Sequence, residues 1–306
     1  SKDFEFADVA FSPKSSVLAI LKQRSSNLDS DVELYDLATE EKRVLAYEPS
    51  VWSGGLELLA YSPDGTRLLG IPRYGMPHMW NTQDGQSLPL LELQAQDGHN
   101  QAVAFSPNGS FWATAGTDRT IRLYRAKNGS LFQQFGMAIP EIRDMAVAPI
   151  VNLAISSSTD GGIRVWNLAT RQLERHLCGH DRPVHAIACS ADGQRLAGIC
   201  DNGTVLIWGS KNDYPECHLY ETLSGPRDRL ASIAVSPDGG LVACGFRDGS
   251  VTVRNACTGK LLWQAINQTD GWGGKVLFSP CGKLLALGYS RFVRLHNAND
   301  GNLLHE

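Results

Sequence analysis

Apolar residues along this chain fall in short runs punctuated by turn residues, and one phrase recurs. It is an apolar strand ending in Ser-Pro, followed by a turn residue and often Gly. It reads FSPKS from Phe11, YSPDG from Tyr61, FSPNG from Phe105, CSADG from Cys189, VSPDG from Val235 and FSPCG from Phe278, with a degraded copy, VAPIV, from Val147. The anchors Ser12, Ser62, Ser106, Ala148, Ser190, Ser236 and Ser279 are spaced by 50, 44, 42, 42, 46 and 43 residues. A second phrase follows each anchor, an alternating strand closing on an aromatic and a polar residue. Its markers are Tyr35, Trp80, Tyr124, Trp166, Trp208, Arg254 and His296. Anchor and marker lie 18 residues apart in five repeats, 23 in the first and 17 in the last.

A period of about 40–45 residues with several short strands per unit is the signature of a propeller blade. The sequence therefore predicts an all-β, seven-bladed β-propeller of four-stranded antiparallel blades. The expected blades run approximately over 1–50, 51–94, 95–136, 137–178, 179–225, 226–267 and 268–306, as one domain over 1–306. In each blade the run before Ser-Pro is strand a, expected to be buried on both faces. An Asp-Gly or Asn-Gly turn leads to strand b, built from small apolar residues as in Leu241-Val242-Ala243-Cys244. Strand c is expected to alternate, as in Ile163-Arg164-Val165-Trp166, and Arg122, Arg164 and Arg294 are read as a solvated, snorkelling face. Strand d is outermost.

The residues resemble the WD-repeat family over essentially the whole chain. The fifth repeat is nearest its pattern: Gly179-His180, CSADG, Asp201-Asn202-Gly203, then Leu206-Ile207-Trp208. The third follows, with Gly98-His99, FSPNG, Thr117-Asp118 and RLYR. The resemblance implies a His, Ser, Asp and Trp network inside each blade. Here it offers His180, Ser190, Asn202 and Trp208 in the fifth repeat, and Asp118, Asp160 with Trp166, and Asp248 in the third, fourth and sixth. No repeat carries all four residues.

Composition narrows the functional classes. The net charge of −4 lacks the strongly basic footprint of most nucleic-acid proteins. No apolar run approaches the roughly 18 residues that span a bilayer. The seven cysteines are odd in number and lack a close C-x-x-C pair, which reads as reduced thiols, mostly in the core, of a cytoplasmic or nuclear protein. Position 1 is Ser, and the termini fall at a blade boundary, so a propeller domain of a larger intracellular protein is expected. There is no phosphate loop, metal helix or nucleophile elbow. His176, Cys178, His180 and His185 come closest to a metal set, and strand alternation speaks against their convergence. No cofactor and no metal are expected, and the chain is read as a non-enzyme.

The resemblance also implies where a partner sits, at the narrow face where strands a begin and the b–c turns end. Positions five before the anchor contribute Glu57, Gln101, Arg143 and His185. Positions seven before it contribute His99, Glu141, Arg229 and Trp272. The b–c turns contribute Arg73, Thr117, Thr159, Asp201, Arg247 and Tyr289. Trp272 with Tyr289, flanked by Arg229 and Arg247, suggests an aromatic and basic patch on blades 6 and 7, because aromatics and Arg dominate interface hot spots. The expected role is a protein–protein interaction scaffold that binds a peptide or domain, as a sensor or assembly module. Two alternatives stay open: a hydrolase-like propeller with a central-channel site, and nucleic-acid binding through a basic part of the ring.

Overall fold

The computed structural model describes residues 4–24, 30–47, 55–90, 98–106, 108–136, 142–148, 153–168, 170, 172–177, 183–200, 204–209, 216–220, 230–265, 273–289 and 292–306. It is an all-β propeller of seven four-stranded antiparallel blades, with no helix among the described residues. The chain divides into two compact units, 1–141 with blades 1 to 3 and 142–306 with blades 4 to 7.

In the first unit, blade 1 is β1 (Phe4–Phe11), β2 (Val17–Arg24), β3 (Ser30–Asp36) and β4 (Lys42–Leu45). Blade 2 is β5 (Leu56–Tyr61), β6 (Arg67–Pro72), β7 (His78–Asn81) and β8 (Ser87–Leu88). Blade 3 is β9 (Asn100–Phe105), β10 (Phe111–Gly116), β11 (Thr120–Arg125) and β12 (Leu131–Gly136). In the second unit, blade 4 is β13 (Ile142–Ala148), β14 (Leu153–Ser158), β15 (Ile163–Asn167) and β16 (Gln172–Leu177). Blade 5 is β17 (Val184–Cys189), β18 (Arg195–Cys200), β19 (Val205–Gly209) and β20 (Glu216–Tyr220). Blade 6 is β21 (Leu230–Val235), β22 (Leu241–Phe246), β23 (Val251–Asn255) and β24 (Leu261–Ala265). Blade 7 is β25 (Gly273–Phe278), β26 (Leu284–Tyr289), β27 (Val293–Asn297) and β28 (Leu303–His305). Each blade pairs in chain order.

Burial corrects two expectations. Strand b is the most buried element, with five consecutive buried positions in β6, β10, β14, β18, β22 and β26. Strand a is buried only at every third position, as in β5, β13 and β17. Strand c divides: β3 and β23 alternate as expected, while β11, β15 and β19 are buried along nearly their whole length. Interior strands have sheet neighbours on both sides, and within each unit a neighbouring blade packs on them, as blade 2 does on Trp112 and Tyr124 of blade 3. Arg122 and Arg164 are accordingly buried, at 6% and 7% exposure, and do not snorkel. The thiols also divide differently from the expectation: among the described cysteines Cys200 and Cys244 are buried, while Cys257 and Cys281 are exposed.

The cores lie between neighbouring blades of each unit. Leu21, Val32 and Leu34 of blade 1 pack with Leu56, Leu68 and Trp80 of blade 2. In the second unit, Val165 and Leu177 of blade 4 pack with Ile187, Leu196 and Trp208 of blade 5. Carboxylates stitch the same seams. Asp8 accepts the Val9 amide at 2.9 Å and, across to blade 2, the Leu59 amide at 2.8 Å. Asp144 repeats this from blade 4, accepting the amides of Met145 and of Ile187 in blade 5, each at 2.8 Å.

This second seam is pH-sensitive. Burial pushes the Asp144 carboxyl up to about 6, against the pull of the two amides and the Lys275 charge. Its folded value lies above the unfolded one of 3.8, so the folded state takes up the proton first as pH falls. The ionised form therefore costs stability in full above pH 6, and the cost is relieved between pH 6 and 4. Relative to Asp144→Asn, the wild-type chain should gain about 2–3 kcal/mol on acidification from pH 7 to 4. Urea denaturation across that range checks it; a pH-independent difference would contradict it.

Candidate functional site

Every strand a carries a β-bulge at one place. The pairing of strand a with strand b passes over Ala7, Glu57, Gln101, Arg143, His185, Ala231 and Gly274. A bulge leaves its extra residue without a ladder partner and re-aims its side chain. Glu57, Gln101, Arg143 and His185, the predicted positions five before the anchor, all fall at these bulges. Gln101 is exposed, and the other three are half-buried.

In the first unit the bulges of blades 2 and 3 join with the b–c turns into one cluster. The blade 2 turn is Arg73-Tyr74-Gly75-Met76-Pro77. Gly75 sits at φ 89°, a left-handed conformation that suits glycine. The turn is tied down by Arg73 N–H to the Gly55 carbonyl at 3.3 Å and by Asn100 N–H to the Arg73 carbonyl at 3.1 Å. His99 is fixed by blade 3: its N–H donates to Thr117 Oγ1 at 2.9 Å, and its carbonyl accepts the Thr117 N–H at 3.1 Å.

The side chains then meet. Arg73 Nε–H donates to His99 Nδ1 at 3.2 Å, so His99 Nε2 carries the proton that faces the Tyr74 hydroxyl. The Tyr74 and His99 rings are edge-on, with centroids 4.4 Å apart. Glu57 Oε1 lies 3.7 Å from Arg73 Nη1. Burial raises the Glu57 carboxyl above its usual value, opposed by the Arg73 guanidinium beside it. Tyr74 and Met76 are 45% and 54% exposed, unusual for residues of their size and apolarity. The sequence signal for them is that this turn holds Tyr74 and Met76 where blades 3 to 6 carry an Asp: Asp118, Asp160, Asp201 and Asp248.

The predicted patch on blades 6 and 7 fares differently. Trp272 and Arg229 lie outside the described residues, as do Glu141 and Asp201. Arg247 is exposed. Tyr289 is buried, at 2% exposure, stacked on Phe292 at 4.7 Å and covered by Arg294 at 5.3 Å from its ring. The blade 7 turn is one residue shorter than those of blades 4, 5 and 6. Tyr289 therefore takes the last position of strand b, the place held by Phe246 and Cys200, which faces the core. A one-residue offset reverses the face a strand residue points to. Arg294, the third strand-c arginine, is half-buried and pairs with Glu306 at 3.1 Å.

The network residues are also rearranged. His180 and Asn202 lie outside the described residues. Ser190 is buried and serves its own a–b turn, donating to Asp192 Oδ1 at 2.6 Å and accepting the Arg195 N–H at 2.9 Å. Ser62 and Ser236 do the same. Trp208 is fully buried. Trp166 donates its indole N–H to Ser156 of strand b at 2.9 Å, so a strand-b hydroxyl rather than an anchor serine meets the indole. Asp118 and Asp160 pair with the buried strand-c arginines Arg122 and Arg164. The Arg164 hydrogen bond, with those of Ser158 and the Gly162 amide, holds the Asp160 carboxyl far below the usual carboxylate range. Asp248 accepts the N–H and hydroxyl of Ser250 in its turn.

The geometry agrees with comparisons to known proteins. Residues 91–125, 171–209 and 217–255 match the WD domain, G-beta repeat. The chain is 23% identical to autophagy-related protein 16 of Arabidopsis thaliana, over 69% of this chain and 40% of that protein. It is 23% identical to a target of rapamycin complex subunit of Schizosaccharomyces pombe, over 67% of this chain and 62% of that protein. It is 22% identical to WD repeat-containing protein 55 of Pongo abelii, over 91% of this chain and 70% of that protein. The chain thus spans under two thirds of the first two relatives. Among the described residues no helix is long and apolar enough to cross a membrane. With three WD-domain matches, WD-repeat relatives along most of its length and one strand plan repeated in seven blades, the chain is a seven-bladed β-propeller similar to WD-repeat proteins.

Proposed function

We propose that this propeller is an interaction module that holds a peptide or domain of a partner protein at the blade ends where bulges and b–c turns meet, and that it works by binding rather than catalysis. The observation that carries this reading is the exposed cluster of Arg73, Tyr74 and Met76, braced by His99 and Glu57. Tyr and Arg are the side chains most often found at interface hot spots, and Met is enriched in interfaces. Fixing Arg73 and Tyr74 on His99 before binding lowers the entropy lost on complex formation. A relative named as a complex subunit fits an assembly role. Arg247 and Trp272 extend the proposal to blades 6 and 7, and a cytoplasmic or nuclear setting belongs to it.

The test is quantitative capture of partner proteins by the immobilised chain. Arg73→Ala with Tyr74→Ala should weaken binding of a captured, purified partner about tenfold or more, since hot-spot truncations cost about 2 kcal/mol each. Exposed as they are, their removal should change stability by less than about 1 kcal/mol. Trp272→Ala with Arg247→Ala tests the other patch in the same assay. Wild-type affinity in both double variants would overturn the reading.

A further inference from the structure

The b–c turn of blade 3 holds an arginine in a backbone conformation that other blades leave to glycine. Arg119 sits at φ 65°, in the left-handed region, where a Cβ crowds the following carbonyl oxygen. Its amide donates to the Gly116 carbonyl at 3.2 Å. Blades 4 and 6 close the same turn with glycine. Gly161 donates to the Ser158 carbonyl at 3.0 Å and Gly249 to the Phe246 carbonyl at 2.9 Å, at φ 82° and 79°. Glu40 shares the left-handed region, in the c–d turn of blade 1. Strain alone therefore marks no contact, and the surroundings of the side chain decide.

Arg119 is exposed, and its guanidinium has no hydrogen-bond or ion-pair partner among the described residues. The neighbouring carboxylate, Asp118, is taken by Arg122 and by the amide and hydroxyl of Thr120. The arginine thus brings the fold no visible contact in return for its strained backbone. Two residues before it, Thr117 holds His99, so Arg119 stands on the same turn that braces Arg73 and Tyr74.

The charge balance at this place is simple. The bulges and b–c turns of blades 2 and 3, with the Arg122 that pairs into them, carry Arg73, Arg119 and Arg122 against Glu57 and Asp118 among the described residues. Glu57 lies beside Arg73, and Asp118 pairs with Arg122. His99 is neutral, as its bond from Arg73 requires. The unmatched charge is the Arg119 guanidinium. A planar guanidinium binds a carboxylate through two parallel hydrogen bonds. Beside it, the exposed Tyr74 and Met76 offer apolar contact.

We propose that Arg119 is a specificity-determining contact of the binding cluster, and that the partner segment held there carries a carboxylate for Arg119 next to an apolar side chain for Tyr74 and Met76. The inference rests on the reading of Arg73 and Tyr74 as a binding surface and adds the chemistry of its occupant. A single unmatched cation suits one carboxylate better than a phosphorylated residue, whose charge is about −2. Sparing the arginine would favour stability, so binding and stability pull in opposite directions at this position.

Four sets of labelled hexapeptides test it on the immobilised whole chain. One central residue is fixed as glutamate, glutamine, phosphoserine or lysine, and the flanking positions are randomised among Leu, Phe, Tyr, Gly and Ser. The glutamate set should be retained about tenfold more tightly than the glutamine set, as expected for charge-assisted hydrogen bonds. Arg119→Gly should erase that preference while holding the melting temperature or raising it by about 1–2 °C, because glycine takes φ 65° without strain. Arg119→Asn, which also tolerates the left-handed region, should erase it too. Lys127→Ala, an exposed cation in the c–d turn of blade 3, should behave as wild type. An unchanged glutamate preference in Arg119→Gly would overturn the inference and leave the cluster standing as a binding surface. Tighter retention of the phosphoserine set than of the glutamate set would overturn the choice of a carboxylate. A clear fall in the melting temperature of Arg119→Gly would show that the arginine serves the fold. If Arg73→Ala with Tyr74→Ala retains every set as wild type does, the underlying binding surface fails instead.

Discussion

Asp118→Ala and Arg122→Ala should each destabilise the chain by about 3–5 kcal/mol, because either change strands a buried charge. The pair joins Asp118 in the b–c turn of blade 3 to Arg122, the third residue of the following strand, with side-chain exposures of 9% and 8%. Arg122 also donates to Thr120 Oγ1 at 2.7 Å, and Asp118 accepts the Thr120 amide at 3.0 Å and its hydroxyl at 2.8 Å. Removal of one partner leaves the other desolvated and uncompensated. Replacing both, Asp118→Leu with Arg122→Met, should recover most of the loss, since a well-packed apolar pair is often as stable as a buried ion pair. Urea denaturation of the wild type, the single variants Asp118→Leu and Arg122→Met, and the double variant completes a double-mutant cycle. The equivalent pair in blade 4 offers an internal comparison. Asp160 is 33% exposed, so solvent screens its charge and its loss should cost less. Equal, small effects at both pairs would show that they are ornament on an apolar core.

Trp80→Ala should be comparably damaging, about 3–5 kcal/mol, the usual cost of removing a fully buried aromatic. Trp80 is fully buried at the seam of blades 1 and 2 and donates its indole N–H to the Ala46 carbonyl at 2.8 Å. Its fit depends on Gly70 across the sheet. A Cβ at that position would lie 2.8 Å from the Trp80 ring and 3.1 Å from Leu56. Gly70→Ala alone should therefore cost about 1–3 kcal/mol by overpacking. Combined with Trp80→Phe, whose smaller ring frees space, it should cost less than the sum of the two single changes. Strict additivity would mean that the ring and the glycine do not limit one another.

Function meets stability in the same seams. The candidate cluster at Arg73 stands on the bulge of blade 2 and the turn of blade 3, held by the backbone bond from Asn100 to Arg73 between the two blades and by that from Thr117 to His99 within blade 3. Changes at Trp80 would thus be expected to disturb binding by moving the blade, whereas Arg73→Ala with Tyr74→Ala would remove contacts and leave the scaffold intact. Melting temperatures separate the two cases.

The sequence by itself determined what repeats locally. Ser-Pro anchors and aromatic markers a constant distance apart specify seven copies of one four-stranded sheet, because turn chemistry and strand length are encoded within about twenty neighbouring residues. It also located the positions that become bulges, Glu57, Gln101, Arg143 and His185, without indicating why they project. Tertiary structure decided whatever depends on a neighbouring blade. Arg122 and Arg164 read as a solvated face on a strand taken alone, and become buried ion pairs once another sheet covers that face. Tyr289 reads as a turn residue, and a turn shortened by one residue draws it into the core. The exposed pair Tyr74 and Met76 and the seam carboxylates Asp8 and Asp144 join residues of blades that lie about 40 positions apart. Hydrophobic periodicity reports the face a residue takes within its own sheet. Only packing reveals what covers that face, and here the cover comes from a neighbouring repeat, as blade 1 covers Trp80 and blade 4 covers Trp208.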